Sequence, residues 1–390
     1  MYYKIINRKK KIATQIADTL GYALWLPALF FRNKTIPKKE IKEILVVRTA
    51  YIGDVIMTLP LLKPLKQFYP KAKITFLTSN GARDLFKNNP YVDYVITYDA
   101  FWFYPNSDKR DYAAFLKEFR KKRYDLVIEA RADIRDIIFT TYLGRARYRV
   151  SYKVGGGGFL LTNAVPFKEI KHKVEYHLDM ARHLGAQVDS VDWGLNSTKE
   201  ENRKAEEILS TAKGQINIAM HPGGRKSLKC WVPARYAQVA DRLISEFGAR
   251  VFFTGAPNEK ELIDGIIRQM KNTAVNLAGK TDMRTLAAFI GKLDLFITND
   301  SAPLHIASAM KTPTVAIFGP SKSNETGPYG NIHKVVEKDF PCRFTCDEDV
   351  CNHKPFNECM EVITSEDVFS AAKTVLKEKE KVKSGYGIQA

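Results

Sequence analysis

Three short clusters in the 390-residue chain pair chemically competent side chains with glycines that let a ligand come close. The first is Arg48-Thr49-Ala50-Tyr51-Ile52-Gly53-Asp54-Val55, where a turn-forming glycine precedes a carboxylate at the expected start of a helix. Asp is a preferred helix N-cap. A carboxylate at the mouth of a cleft can also take a proton from an incoming hydroxyl, and spacing alone leaves both readings open. The second is His221-Pro222-Gly223-Gly224, followed by Lys229-Cys230-Trp231. Glycines at a strand-to-loop junction bring backbone N–H groups up to a phosphate, and a nearby lysine adds charge. The G-x-x-x-x-G-K-[ST] spacing of a P-loop is absent. The third, Thr298-Asn299-Asp300-Ser301-Ala302-Pro303-Leu304-His305, opens a helix that Ser301 or Asp300 can cap and whose N-terminus can hold a phosphate. A capped helix with a surface histidine is the plainer alternative. Asn276-Leu277-Ala278-Gly279-Lys280-Thr281 lacks the upstream glycine of a nucleotide-triphosphate loop and is rejected as one.

A fourth cluster is thiol-based. Cys342, Cys346, Cys351 and Cys359 fall within eighteen residues. Four thiolates suit tetrahedral zinc or iron in a structural role. The paired C-x2-C of a firm zinc site is missing, so plain thiols or two disulfides stay open. Five cysteines in all are too few for a disulfide-dense scaffold, and Cys230 stands apart.

Short apolar runs must position these clusters: Ile44 to Val47, Ile74 to Leu77, Val95-Ile96, Leu126 to Ile128, Ile216 to Ala219, Val251 to Phe253, Leu295 to Ile297 and Thr314 to Phe318. Amphipathic patterns such as Tyr236 to Phe247 and Glu259 to Met270 lie between several of them. Strand runs alternating with helix patterns predict βαβ units and a mostly parallel sheet. Two such sets, at 44–186 and 214–376, predict an α/β protein of two doubly wound domains facing a cleft, joined by a polar connection at 187–213 and followed by a tail at 377–390. The Gly155-Gly156-Gly157-Gly158 run reads as a mobile loop.

Charge narrows the partners. The chain has 61 Lys and Arg against 43 Asp and Glu, a net +18, which favours polyanions: nucleic acid, phosphorylated sugars or an anionic membrane face. No nucleic-acid motif is present and no nucleic-acid partner is expected. Residues 1–43 hold ten of the basic residues and three of the acidic ones. They enclose an apolar, aromatic stretch from Ile12 to Phe31 that Asp18 and Pro27 interrupt. Basic flanks with aromatic anchors predict an amphipathic segment at a membrane surface rather than a spanning helix. A helix packed on the protein's own body is the alternative.

Taken together, the stretches Val46-Val47-Arg48-Thr49 with Gly53-Asp54-Val55, His221-Pro222-Gly223 with Lys229 and Trp231, Asn276-Leu277-Ala278-Gly279, and Asn299-Asp300-Ser301 with His305 resemble glycosyltransferase family 9, the heptosyltransferases of lipopolysaccharide core assembly. The resemblance runs from about Ile44 to Leu376. It implies a GT-B architecture of two Rossmann-like domains, the acceptor on the first and the sugar nucleotide on the second. It also implies an inverting, metal-independent transfer from ADP-heptose to an anionic lipid-linked saccharide, with no cofactor needed for catalysis, by a cytoplasmic enzyme peripheral to the inner face of the inner membrane. In this light Asp54 matches the family's catalytic base and Lys229 its diphosphate-binding lysine. Gly223, Gly224 and the helix start at Ser301-Ala302 would add backbone donors, and Asp300 and His305 match donor-site positions. Glu259 matches an acidic position near the nucleoside. Arg131, Arg135, Arg145 and Arg147 follow the strand ending at Ile128. Arg131 and Arg135 would share a helix face, and Arg131, Arg135 and Arg147 become acceptor-binding candidates because arginine forks suit carboxylates and phosphates; a solvated basic helix is the alternative. The sequence departs from the family at Ala50 and Tyr51, where small hydroxyl residues are usual, and at Ala302, where glycine is. A family member using another nucleotide sugar or a protein acceptor, and a non-catalytic polyanion-binding protein, are the competing functions.

Overall fold

Ile44, Leu45, Val46 and Val47 have no solvent exposure, which marks the first strand as central, covered on both faces. The computed structural model describes the whole chain except residues 1, 2, 6, 26–34, 105, 108–110, 213–215, 345, 347–349 and 385–390. It divides into two compact units, Met1–Leu195 and Asn196–Ala390.

In the first unit the strands are β1 (Glu43–Val47), β2 (Lys73–Thr78), β3 (Tyr94–Thr97), β4 (Leu126–Glu129), β5 (Tyr148–Tyr152) and β6 (Asn163–Val165). They form one parallel sheet in the order β3-β2-β1-β4-β5-β6. The helices of this unit include α1 (Arg8–Leu24), α2 (Ile52–Thr58) directly after β1, and α3 (Lys173–His183) after β6.

The second unit repeats the plan. Helix α4 (Lys199–Ser210) precedes β7 (Ile216–His221), α5 (Pro233–Phe247), β8 (Ala249–Phe253), β9 (Val275–Asn276), β10 (Leu295–Asn299), α6 (Ala302–Ala309), β11 (Thr314–Phe318), β12 (His333–Glu337) and α7 (Ser365–Lys383). The sheet order is β12-β11-β10-β7-β8-β9, again parallel. Like the first, this sheet carries its opening strand inside and reverses its strand order there, so each unit is Rossmann-like and doubly wound. Val368, Phe369, Ala372 and Val375 of α7 join Ile218, Phe253, Ile297 and Ile317 in one core.

Several expectations change. The polar connection expected at 187–213 spans the boundary between the two units and also contains α4, capped by Thr198 and Glu201 in a reciprocal pair. Its Glu201 also takes Arg284 at 2.9 Å. Helix α7 continues to Lys383, so the expected tail from 377 begins as helix. The glycine run is seated rather than loose. Gly157 N–H donates to Asp18 of α1 at 2.7 Å, and Asp18 is buried. A Cβ on Gly155 would lie 1.7 Å from the Ala132 carbonyl oxygen, so only glycine fits that approach. Tyr22 and Trp25 pack their rings on Phe159. Packing on the protein's own body therefore holds for one face of α1. Leu26 to Phe31, also part of the predicted membrane segment, lie outside the described residues.

Gly155→Ala should lower stability by about 2–4 kcal/mol, because the clash is with backbone that cannot swing away. Thermal unfolding measures it, and an unchanged melting curve would mean the loop is not held as described.

Candidate active site

In each sheet the strand order reverses beside the first strand, between β1 and β4 and between β7 and β10, and the loops that leave those strands diverge there. Ligands of doubly wound folds bind at that point, off the carboxyl ends of the strands. The three chemical clusters all start there: Arg48 after β1, His221 at the end of β7, Asn299 at the end of β10.

In the first unit Asp54 does not cap α2. Tyr51 occupies the N-cap position and Asp54 sits in the first turn. Its Oδ1 is 2.9 Å from Arg48 Nη2 and 3.0 Å from Lys173 Nζ of α3. The Asp54 side chain is 15% exposed, Arg48 6% and Lys173 34%. Burial pushes the Asp54 carboxyl upward, but Arg48, then Lys173 and Arg131, outweigh it and hold Asp54 well below the usual carboxylate range. Burial in turn lowers the Arg48 guanidinium, and Asp54 opposes that. Beneath this pair lie two more carboxylates. Glu129, at the end of β4, accepts the N–H groups of Arg131 (2.9 Å) and Ala132 (2.8 Å) and the Ser151 hydroxyl (2.7 Å). Asp136 accepts the Thr49 hydroxyl at 2.9 Å and the Trp102 indole N–H at 2.9 Å. Burial raises both carboxyls, and each has another carboxylate nearby that adds to the rise: Asp136 for Glu129, Asp133 for Asp136.

Arg131 and Arg135 come to the same edge, though not by sharing a helix face. Arg131 precedes a helical segment that opens at Ile134–Asp136, capped by Asp133, and runs on as π-helix over Ile137–Tyr142. Arg135 grips Asp133 through Nε at 2.9 Å and Nη2 at 2.7 Å. Both guanidiniums lie against Phe103, Arg131 at 3.9 Å and Arg135 at 4.6 Å from the ring centre. Tyr51 packs edge-on to Phe103 and Tyr104. The site is thus an aromatic and cationic wall beside a partly exposed, cation-held carboxylate. Arg147 does not belong to it. Arg147 lies just before β5, its N–H bonds the Tyr124 carbonyl ahead of β4, and it pairs with exposed Glu40 at 2.9 Å. That is the amino-terminal edge of a parallel sheet, opposite Asp54.

In the second unit Lys229 Nζ lies 2.7 Å from Asp300 Oδ2, with side chains 17% and 7% exposed. Burial would raise the Asp300 carboxyl, but Lys229 and then His305 lower it. His305 is buried in the first turns of α6, not on the surface. Ser301 takes the N-cap position of α6, yet its hydroxyl faces Thr298 Oγ1 at 3.2 Å instead of capping, and Pro303 sits in the first turn beside Ala302. Glu259 accepts the N–H of Gly224 at 2.9 Å and of Ala256 at 2.7 Å. A Cβ on Gly223 would lie 2.0 Å from that carboxylate. Glu259 therefore shapes the glycine loop directly.

Sequence reasoning overlooked three groups. Asn299 bridges the two clusters of the second unit: its Nδ2 donates to Pro222 and Gly223 carbonyls at 2.8 and 3.2 Å, and its Oδ1 accepts the Tyr236 hydroxyl and Trp231 N–H at 2.9 and 3.2 Å. Its place at the head of the third cluster was the available signal. Lys173 sits 119 residues from Asp54 and carries no local signal. Nor do Glu129 and Asp136, whose side-chain partners Ser151, Thr49 and Trp102 are remote in sequence.

Cys342, Cys346, Cys351 and Cys359 line one cavity of about 20 Å³ together with His353 and Glu358. None of the four is joined in a disulfide. Burial, then the other three cysteines, push Cys359 up to about 11. Among the described residues no three His, Cys, Asp or Glu side chains stand ready-made as a metal site.

Two Rossmann-like, doubly wound units, each with polar clusters at its switch point, are the plan of the GT-B class of α/β proteins. The model of glycosyltransferase family 9 (heptosyltransferase) matches residues 112–355, and the chain belongs to that family. It is 24% identical to the lipopolysaccharide core heptosyltransferase OpsX of Haemophilus influenzae over 76% of this chain and 84% of that protein. It is 28% identical to lipopolysaccharide heptosyltransferase 3 of Escherichia coli K12 over 84% and 96%. The structure of E. coli ADP-heptose lps heptosyltransferase II superposes with a TM-score of 0.69, covering 87% of this chain and 99% of that one at 22% identity.

The Asp54–Arg48 pair makes a pH-dependent contribution. A carboxyl lowered in the folded state stabilises above its unfolded value, about 4, and that contribution is lost as pH falls through the lower folded value. Asp54→Asn should cost about 2–4 kcal/mol at pH 7, because it leaves Arg48 buried without its counter-charge. In urea titrations the gap from wild type should persist down to about pH 4 and close only below it. Equal stabilities at pH 7 would show that the pair contributes nothing.

Proposed function

We infer that this enzyme moves heptose from ADP-heptose to the inner core of lipopolysaccharide, with inversion and without a metal in the chemical step. The observation that carries the reading is a partly exposed, cation-held carboxylate, Asp54, at the switch point of the first unit beside a wall of arginine and aromatic side chains. The acceptor hydroxyl oxygen attacks the anomeric carbon, its proton passes to Asp54, and the bond from that carbon to the ADP oxygen breaks. Charge then collects on the departing diphosphate. Lys229, the N–H group of Gly223 and the start of α6 at Ser301 and Ala302 are suited to stabilise it, with Asp300 orienting Lys229 and His305 beside Asp300, while the Gly224 N–H stays on Glu259 and serves the loop's shape. Glu259 acts first as the brace of the glycine loop. Arg131 and Arg135 receive the carboxylates or phosphates of the acceptor, and Arg147 is left out.

A carboxylate paired with two cations is a weak base. Lys173 is the more exposed of the two, and an acceptor anion can draw it away from Asp54, which restores basicity as the acceptor seats. A lipid-linked acceptor with a nucleotide-sugar donor suits an enzyme working at the cytoplasmic face of the inner membrane. The four cysteines suit one structural zinc or iron ion: their cavity has room for a single small sphere, and thiolates prefer such metals. Ala50, Tyr51 and Ala302 depart from the family's usual residues and favour, as a second reading, a different nucleotide sugar.

Calorimetry with ADP, UDP, GDP and CMP, with and without Mg²⁺, separates the readings. ADP alone should bind, equally well in both conditions. Selective UDP or GDP binding would keep the fold and discard heptose. Asp54→Ala should abolish transfer while ADP affinity stays within about twofold, and equal turnover would remove Asp54 as base. Lys173→Met should move the acid limb of the kcat/KM profile to higher pH, since one of the cations that lower Asp54 is gone. Elemental analysis should find one zinc or iron per chain, lost in Cys359→Ser.

A further inference from the structure

Helix α1 has two faces that want different neighbours. At about 100° per residue, Thr14, Asp18, Gly21, Tyr22 and Trp25 fall on one side. Asp18 is buried there by Gly157 N–H at 2.7 Å and the Tyr3 hydroxyl at 2.7 Å. A Cβ on Gly21 would lie 2.4 Å from the Phe159 ring. This side is fixed to the first unit. The opposite side presents Ile12, Ile16, Leu20 and Leu24, each four residues after the last, at 47%, 56%, 59% and 75% exposure. Exposed Ala13 and Ala17 border the same arc. From Ile12 to Leu24 the only charged residue is Asp18, which faces inward.

Single exposed apolar residues need no explanation, but an unbroken stripe about 18 Å long does. The charge pattern says what covers it. Exposed Arg8, Lys9 and Lys10, with Lys11 beside them, form the first turn of α1, and no acidic residue stands in that turn. Cations there oppose the positive end of the helix dipole, so helix stability does not account for them. An anionic phase does: basic residues meet lipid phosphates while an apolar stripe enters the region of the acyl chains.

We propose that α1 is a monotopic anchor that lays the Ile12–Ile16–Leu20–Leu24 stripe into an anionic bilayer while its other face holds the first unit. This deepens the lipid-linked acceptor reading, and it specifies how unit one meets the membrane. The glycine loop that Asp18 holds packs Gly155 against Ala132 and Gly157 against Ile134, so the anchor is tied mechanically to the segment that carries Arg131 and Arg135.

The full-length protein should sediment with vesicles of phosphatidylethanolamine and phosphatidylglycerol and much less with phosphatidylcholine vesicles. Ile16→Glu with Leu20→Glu should cut that partitioning by about tenfold or more, with thermal unfolding and transfer to a soluble deacylated acceptor unchanged. Lys9→Gln with Lys10→Gln should weaken binding and flatten its salt dependence. Failure of the wild type to bind anionic vesicles, or undiminished binding by the glutamate variant, would overturn the anchor. So would a dimer in sedimentation velocity that Leu20→Glu dissociates, with no vesicle binding. Vesicle binding that Ile16→Glu with Leu20→Glu abolishes, without transfer to any lipid-linked saccharide, would uphold the anchor and discard the acceptor reading instead.

Discussion

The reversal of strand order beside β1 and again beside β7 is the constraint on which the chemistry hangs. A parallel sheet sends every strand's carboxyl end to one edge, and only at the reversal do neighbouring loops part and leave backbone and side chains open to a ligand. Asp54, Arg131 and Arg135 meet there because β1 and β4 are adjacent although β2 and β3 come between them in the chain. Asn299 reaches Pro222 and Gly223 because β10 lies beside β7. The same geometry expels Arg147, which is close in sequence to Arg131 and Arg135 but sits at the wrong end of its strand.

Each cluster then solves the same problem of burying charge. Arg48 shields Asp54 from water and keeps it ionised. Lys229 does the same for Asp300. Glu259 and Glu129 spend their oxygens on backbone N–H groups, so their loops have defined shapes before any substrate arrives. Such preorganisation matters because dipoles already in place need not rearrange when charge develops in the transition state.

The fold was legible where strands are fully buried. Ile44 to Val47, Leu295 to Ile297 and Thr314 to Phe318 read plainly because burial on both faces demands continuous apolar runs. Strands β5, β6, β9 and β12 did not, since Tyr148-Arg149-Val150-Ser151-Tyr152, Asn163-Ala164-Val165, Val275-Asn276 and His333-Lys334-Val335-Val336-Glu337 are short or mixed and mostly lie towards the sheet margins. The site was legible as motifs next to strands and illegible as partnerships. Asp54 and Lys229 stand in recognisable strings, whereas Lys173 and Asp136 acquire meaning only through residues brought near by tertiary folding. Likewise the Thr198-to-Glu201 capping box of α4 went unread, because the polar stretch around it reads as a connection.

The seating of Gly155 to Gly158 beneath α1 bears on how the protein can be handled. Trimming the N-terminus to improve solubility would take away Asp18, Tyr22 and Trp25 along with the greasy stripe. The glycines would lose the strut they rest on, and the segment from Ala132 to Asp136 would lose its backing. A shortened enzyme with altered acceptor affinity would then report a collapsed support instead of a missing tether, so only side-chain changes on the outer face leave the scaffold intact.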